Sequence, residues 1–254
     1  MSETKMNPLL IRGGHIIDPA RGIDGTGSLL ILEGKVAWWD REGEDPPHPD
    51  YDALPAQGLI VCPGFIDMHC HLREPGFEAK ETVATGTAAA AKGGFTTVAC
   101  MSNTSPPLDS PEGVEYIKAK AEEEGIVRVL PVGCVTRGRK GEELVDLGAL
   151  AAAGVAGFSD DGNPVATSRL MRQALEISRG LGLPVIDHCE DKSLAEGGQI
   201  NEGDVSAKLG LKGIPSAAEE IIVARDLALA RLTGGVAAYC PCQHPWLGGA
   251  YSTG

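Results

Sequence analysis

The chain has 254 residues, with 35 Asp and Glu against 22 Lys and Arg, a formal net charge of −13. So acidic a surface repels phosphate backbones and argues against a nucleic-acid partner; no apolar run reaches the ~18 residues of a membrane span. Met1-Ser2-Glu3-Thr4-Lys5 lacks the basic-then-apolar layout of a signal peptide, and the seven cysteines follow no framework of spacings, which together point to a reducing cytoplasm.

Leu9–Ile11 and His15–Ile17 read as short strands on either side of Gly13-Gly14. Ser28–Leu32 and Lys35–Trp39 flank Glu33-Gly34, a good hairpin turn. Glu44–Pro55 is rich in Pro and Asp and reads as a loop closing a small β-unit. Residues 1–57 are therefore expected to be the N-terminal part of a β-sandwich.

From residue 59 the pattern alternates strand and helix. Candidate strands are Leu59–Cys70, Phe95–Met101, Arg128–Val135, Ala156–Asp160 and Leu183–Cys189. Candidate helices span 79–92, 111–124, 142–153, 168–181 and 216–232. Ser110-Pro111 supplies an N-cap with Pro at the first helical position. Ser216 and Glu219 have capping-box spacing, and glycines follow the helices. Residues 191–214 form an insertion after the fifth strand. The strands are continuous apolar runs, as in a parallel sheet covered by helices. The fold class is α/β: a (β/α)8 barrel or a doubly wound sheet. The doubly wound alternative wants a Gly-rich loop after the first strand, and none is present.

That strand ends instead in His69-Cys70-His71. Side chains alternate along a strand, so the two imidazoles share a face, with Asp67 beside them. Such a pair suits a divalent metal; ordinary strand histidines are the alternative. Phe158-Ser159-Asp160-Asp161-Gly162 and Asp187-His188-Cys189-Glu190 end two further strands. In a barrel these ends converge. Adjacent Asp160 and Asp161 point differently, so one of them is expected to reach the metal. Arg73 next to a cationic centre implies an anion bound between them, or else a rim salt bridge to Glu74 or Glu78. Asn103, past the second strand, is placed to donate to the same anion.

The run Pro63-Gly64-Phe65-Ile66-Asp67-Met68-His69-Cys70-His71-Leu72-Arg73-Glu74-Pro75-Gly76 resembles the amidohydrolase superfamily, and more closely the long bacterial type of dihydroorotase. Lys80-Glu81-Thr82, Gly93-Gly94-Phe95-Thr96-Thr97-Val98, Met101-Ser102-Asn103-Thr104, Phe158–Gly162, Asp187–Glu190 and Ile200-Asn201-Glu202-Gly203 extend the likeness over residues 8–235. The resemblance implies one or two Zn2+ ions. His69 and His71 correspond to ligands of one zinc, Asp161 to the bridging carboxylate and His188 to a ligand of the second. Arg73 and Asn103, with His71, correspond to substrate-binding positions. Ser102 stands where the family usually has proline, which is expected to loosen the loop presenting Asn103. The implied reaction is reversible closure of N-carbamoyl-L-aspartate to L-dihydroorotate in pyrimidine synthesis, using the low pKa, about 7, of zinc-bound water. Hydantoinase or allantoinase chemistry is the alternative, although hydantoinases usually place a lysine at the bridge. A non-catalytic subunit scaffolding aspartate transcarbamoylase is another, although such relatives tend to lose the histidines. The implied partners are the small-molecule substrate, aspartate transcarbamoylase and, in a full-length form, a second copy.

The family's general-base aspartate follows an eighth strand, beyond residue 254. The partial barrel is read over residues 58–235, its five units occupying 64–235, and three more need roughly 100 residues. Val236–Gly254 contains no Asp, Glu, Lys or Arg, where about four are expected from average composition. His244 precedes Pro245 in text unlike a barrel strand, and Cys240-Pro241-Cys242 has the alternative reading of a metal clip. The codons of Cys240–Pro245, read from the second base, permit Ala-His-Val-Ser-Thr, the family's zinc-ligand text. The tail is therefore expected to be frameshifted and the chain impaired in turnover. The nucleotide sequence tests this: a shifted frame after Gly235 should run on into barrel-like text containing a further Asp.

Overall fold

The computed structural model describes residues 7–40, 46–48 and 50–239. The chain divides into two compact units, Met1–Gly64 and Phe65–Gly254.

In the first unit, β1 (Leu9–Asp18), β2 (Ile23–Leu32) and β3 (Lys35–Asp40) form an antiparallel meander. Glu33 and Gly34 both take positive φ, 50° and 73°, the handedness a two-residue hairpin needs. Gly13-Gly14 does not separate two strands. β1 runs through, its register shifting between Ile11 and Gly14, with Gly13 at φ +72° to admit the bulge. β4 (Asp52–Pro55) and β5 (Ile60–Val61) join parallel to β1. β4 thus lies inside the segment expected to be loop. The exposed polar backbone of β1 recruits it: the Asp52 N–H donates to the Pro8 carbonyl and Ala56 N–H to the Arg12 carbonyl, both at 2.8 Å. Its proline sits at the strand end, where a missing N–H is tolerated. Ile16, Ile23 and Leu29 pack as one buried cluster of this unit, and Leu10 and Leu30 are buried as well.

The expected strand Leu59–Cys70 is interrupted at Pro63-Gly64, and its two halves fall in different units. The second unit starts at β6 (Phe65–Cys70) and continues α1 (Val83–Lys92), β7 (Phe95–Cys100), α2 (Pro111–Glu124), β8 (Arg128–Gly133), α3 (Leu147–Ala153), β9 (Gly157–Phe158), α4 (Ser168–Leu181) and β10 (Val185–Asp187). The insertion holds α5 (Lys192–Ala195), β11 (Ile200–Asn201), α6 (Asp204–Leu209) and β12 (Gly213–Ile214), with β11 and β12 paired in parallel. α7 (Ala217–Thr233) and β13 (Ala237–Tyr239) follow.

The sheet order is β6-β7-β8-β9-β10-β13, every pair parallel. Strands in chain order with a helix after each make an incomplete (β/α) barrel; a doubly wound sheet would reverse direction at a switch point. The sheet also passes Gly235: Val185 pairs with Ala237 and Asp187 with Tyr239. His244, Cys240 and Cys242 lie outside the described residues.

Helix starts follow their caps. α1 begins at Val83, later than expected, because Thr82 accepts from the Thr85 N–H at 3.1 Å. α3 begins at Leu147 because Asp146 accepts from the Ala149 N–H at 2.9 Å. Ser216 makes no side-chain cap and is already helical at φ −55°, ψ −30°. The first turn of α7 closes through backbone instead, the Ala218 N–H donating to the Pro215 carbonyl at 2.9 Å.

The main core joins Phe158, Met171, Leu175 and Val185, all fully buried. On α4, Leu170, Met171, Ala174, Leu175 and Ser178 face inward at helical spacing. Leu175→Ala should cost about 2–5 kcal/mol by denaturant unfolding; Ile177→Ala, on the exposed face, should stay within about 0.5 kcal/mol.

Among the described residues β6 has one neighbouring strand. Its Ile66 and Met68 are 63% and 75% exposed, an apolar edge of the kind that pairs with other chains. The purified chain should therefore self-associate on sizing chromatography, and Ile66→Lys should shift it toward monomer.

Candidate metal centre

Parallel strands deliver their C-terminal ends to one rim, and the polar residues of this chain gather there. His69 is the penultimate residue of β6, and His71 lies just beyond the strand. Asp161 comes from the turn after β9. The His69 Nε2 is 3.3 Å from Asp161 Oδ1, and the His71 Nε2 is 3.8 Å from Asp161 Oδ2. The two rings lie 5.2 Å apart at 79°. One ligand atom from each of the three residues falls within 4.8 Å of the others.

Asn103 joins them. Its amide donates to Asp161 Oδ2 at 2.7 Å, and its carbonyl oxygen accepts from His71 Nδ1 at 3.0 Å. That bond puts the His71 proton on Nδ1 and turns the Nε2 lone pair toward Asp161. Burial lowers the His71 pKa, opposed by the bond to Asn103 and the charge of Asp161. A neutral imidazole is the form that ligates metal. Asn103, expected to grip an anion, is thus hydrogen-bonded to His71 and Asp161.

Asp160 and Asp161 diverge, as their adjacency requires. The Asp160 carboxylate accepts from the Val135 N–H at 2.9 Å and the Thr136 N–H at 3.0 Å, and also from the Thr136 hydroxyl. It fastens the end of β8 and takes no part in the ligand group. Asp67 is also spent locally, accepting from the His69 N–H at 3.0 Å.

Ser102 does not loosen its loop. It is fully buried, its hydroxyl donates to the Ser159 carbonyl, and its own carbonyl accepts from Thr104 N–H at 2.9 Å. The hydroxyl supplies a cross-link between the β7 and β9 ends that a proline cannot make.

Arg73 sits at φ +63°, an uncommon conformation for a side chain with a Cβ. Buried neighbours hold it there. Leu72 is in the core, and Glu74 accepts from the Val83 N–H and the Tyr116 hydroxyl, each at 3.0 Å. Glu78 accepts from the Gly76 N–H at 2.7 Å. Neither glutamate pairs with Arg73 in the structure, so the rim salt bridge does not form. The Arg73 charge is felt instead at His71, whose protonation it disfavours.

His188 follows β10 at the same rim, half-buried. The three-residue group does not include it. A second group, Asp187, Cys189 and Asp226, lies behind this strand end. There Arg225 bonds Asp187 Oδ2 at 3.1 Å and Asp226 Oδ1 at 2.7 Å. Burial, and then the charge of Asp226, push the Asp187 carboxyl well above the ordinary carboxylate range.

Three contributors escaped the sequence reading. Arg139 donates to the Asp161 carbonyl, but in sequence it belongs to a basic loop that looks solvated. Arg225 and Asp226 look like a surface pair on a helix. The only hint is their position amid small apolar residues, Val223-Ala224 before and Leu227-Ala228 after.

The family model described as dihydro-orotase-like matches residues 58–242. The chain belongs to the dihydro-orotase-like family. It is 53% identical over 227 residues to a dihydroorotase of Geobacter sp. (strain M21), covering 89% of this chain and 53% of that one. It is 48% identical over 230 residues to a dihydroorotase of Aquifex aeolicus, covering 91% and 54%. The chain therefore spans about half the length of the curated relatives it matches. Among solved structures, the L-hydantoinase (dihydropyrimidinase) from Arthrobacter aurescens superposes with a TM-score of 0.73 at 19% identity, over 92% of this chain and 52% of that one. At that identity it shares the fold.

The donor set fits a divalent cation. Two imidazole nitrogens and a carboxylate converge, and His69 Nδ1 is buried without a hydrogen-bond partner, so the ring is left to be oriented by what its Nε2 binds. Asp161→Ala should abolish zinc uptake by the chain, read by elemental analysis after dialysis, with little loss of stability. Asp160→Ala should do the reverse. It strands two buried N–H groups and a hydroxyl, costing about 3 kcal/mol or more, while the refolded fraction still takes up zinc.

Proposed function

We propose that this chain carries the metal-holding part of a zinc-dependent dihydroorotase, a cyclic amidohydrolase interconverting N-carbamoyl-L-aspartate and L-dihydroorotate. The observation that carries the reading is the convergence of His69, His71 and Asp161 on one rim, in a chain about half identical to dihydroorotases. His69, His71 and Asp161 would hold one ion, and Asp161 with His188 would serve a second. When bound, zinc supplies a water acidified to a pKa of about 7 and polarisation of the amide carbonyl.

The chain's own residues do the rest. Asn103 keeps His71 in the tautomer that offers Nε2. Arg73, unpaired with its neighbouring glutamates, presents a planar fork of donors that matches a carboxylate. Both dihydroorotate and N-carbamoyl aspartate carry such a group, whereas simple hydantoins do not. This favours the dihydroorotase reading over the hydantoinase one suggested by the fold.

The test is ligand binding to the zinc-loaded chain by calorimetry. Dihydroorotate should bind in preference to unsubstituted hydantoin. Arg73→Ala should weaken dihydroorotate about 10–100-fold, the worth of a charge-assisted hydrogen bond, and leave hydantoin unchanged. Equal binding of the two compounds by the parent chain would sink the assignment.

A further inference from the structure

The cluster behind β10 is placed to do more than hold a helix. Arg225 stands mid-way along α7 and spends three donors in three directions. Its Nη2 goes to Asp187 Oδ2, its Nε to Asp226 Oδ1, and its Nη1 to the Val165 carbonyl at 2.9 Å. Asp187 Oδ1 in turn accepts from the Val165 N–H at 2.9 Å. Both polar groups of the Val165 residue are thus captured by one ion pair. Val165 is fully buried, so those groups have no water to fall back on.

The positions of the captured groups matter. Val165 lies in the loop between β9 and α4, four residues after Asp161. Asp187 immediately precedes His188. A single guanidinium therefore ties the loop carrying one proposed ligand to the strand end carrying another. The arrangement is costly: Asp187 and Asp226 are 1% and 0% exposed, and Asp226 Oδ2 has no hydrogen-bond partner. Buried ion clusters can often be exchanged for apolar side chains with no loss of stability. What apolar side chains cannot supply is a fixed register between two strand ends.

We propose that Arg225 is a positioning residue for the metal centre, locking the Asp161–Val165 loop to the strand end that presents His188. The proposal rests on the metal-centre reading above. It assigns Arg225 no contact with metal or substrate. It acts through Asp187 and Val165, and its planar three-way fork is the property that lysine lacks.

Co2+ is the probe, titrated into the full chain and followed by its visible ligand-field bands and by calorimetry. Arg225→Met should raise the Co2+ dissociation constant about 10–100-fold, the usual effect of losing a residue that orients ligands, and should alter the band positions. Arg225→Lys keeps the charge and should show the same spectral change. If Arg225→Met does not fold, Arg225→Lys decides by the same readout. A merely structural role lowers the unfolding temperature and leaves affinity and spectrum at parent values; that result overturns the proposal. The metal reading has its own control. If the parent chain takes up no Co2+ that His69→Ala removes, that reading fails and takes the proposal with it. If the parent binds and the Arg225 variants bind identically, the proposal alone falls.

Discussion

Two imidazoles and one amide converge on the Asp161 carboxylate, a side chain only 8% exposed. A carboxylate withdrawn from water that far stays charged only if its oxygens meet donors or a cation. Asn103 supplies a donor to one oxygen, and the two Nε2 atoms stand where a cation would draw electron density from both. The requirement explains why three strand ends must meet. β6 brings the histidines, β7 the amide and β9 the carboxylate, and a parallel sheet is the arrangement that delivers all three to one rim.

Holding those ends in place falls to groups that never reach the centre. Asp160 ties the β9 turn to the end of β8 through Val135 and Thr136. Ser102 ties the β7 loop to Ser159. Glu74 ties the Arg73 loop to the start of α1 and to Tyr116 on α2. Each is a buried polar group with at least one partner from a different βα unit. Paired buried polar groups contribute little net stability, but leaving one unpaired is expensive. The rim therefore has few alternative arrangements, which is what a site needing sub-ångström placement requires.

The sequence carried the fold class through two local signals, apolar runs at βα spacing and glycines after the helices. Helices 111–124 and 168–181 were legible to the residue because Ser110-Pro111 and Gly182 mark their ends chemically. The reading failed where a local signal competes with a tertiary partner. β4 forms in Pro-rich text because β1 presents unpaired backbone to it. Ser216 does not cap because Pro215 offers its carbonyl to the first turn of α7. Pro63-Gly64 cut one apolar run into two strands that serve different units.

The candidate ligand residues stand out in the sequence because few side chains bind metal and alternation along a strand puts His69 and His71 on one face. The divergence of Asp160 and Asp161 follows from the same alternation. Their partners could not be read that way. That Asn103 turns to His71 and Asp161, that Ser102 braces its loop, and that Arg139 and Arg225 leave apparent surface positions for buried acceptors all depend on residues distant in the chain. Sequence determines which side chains can do chemistry and which face of an element they share, since backbone periodicity is local. Only the packing of one βα unit on the next decides which polar group each buried side chain must satisfy.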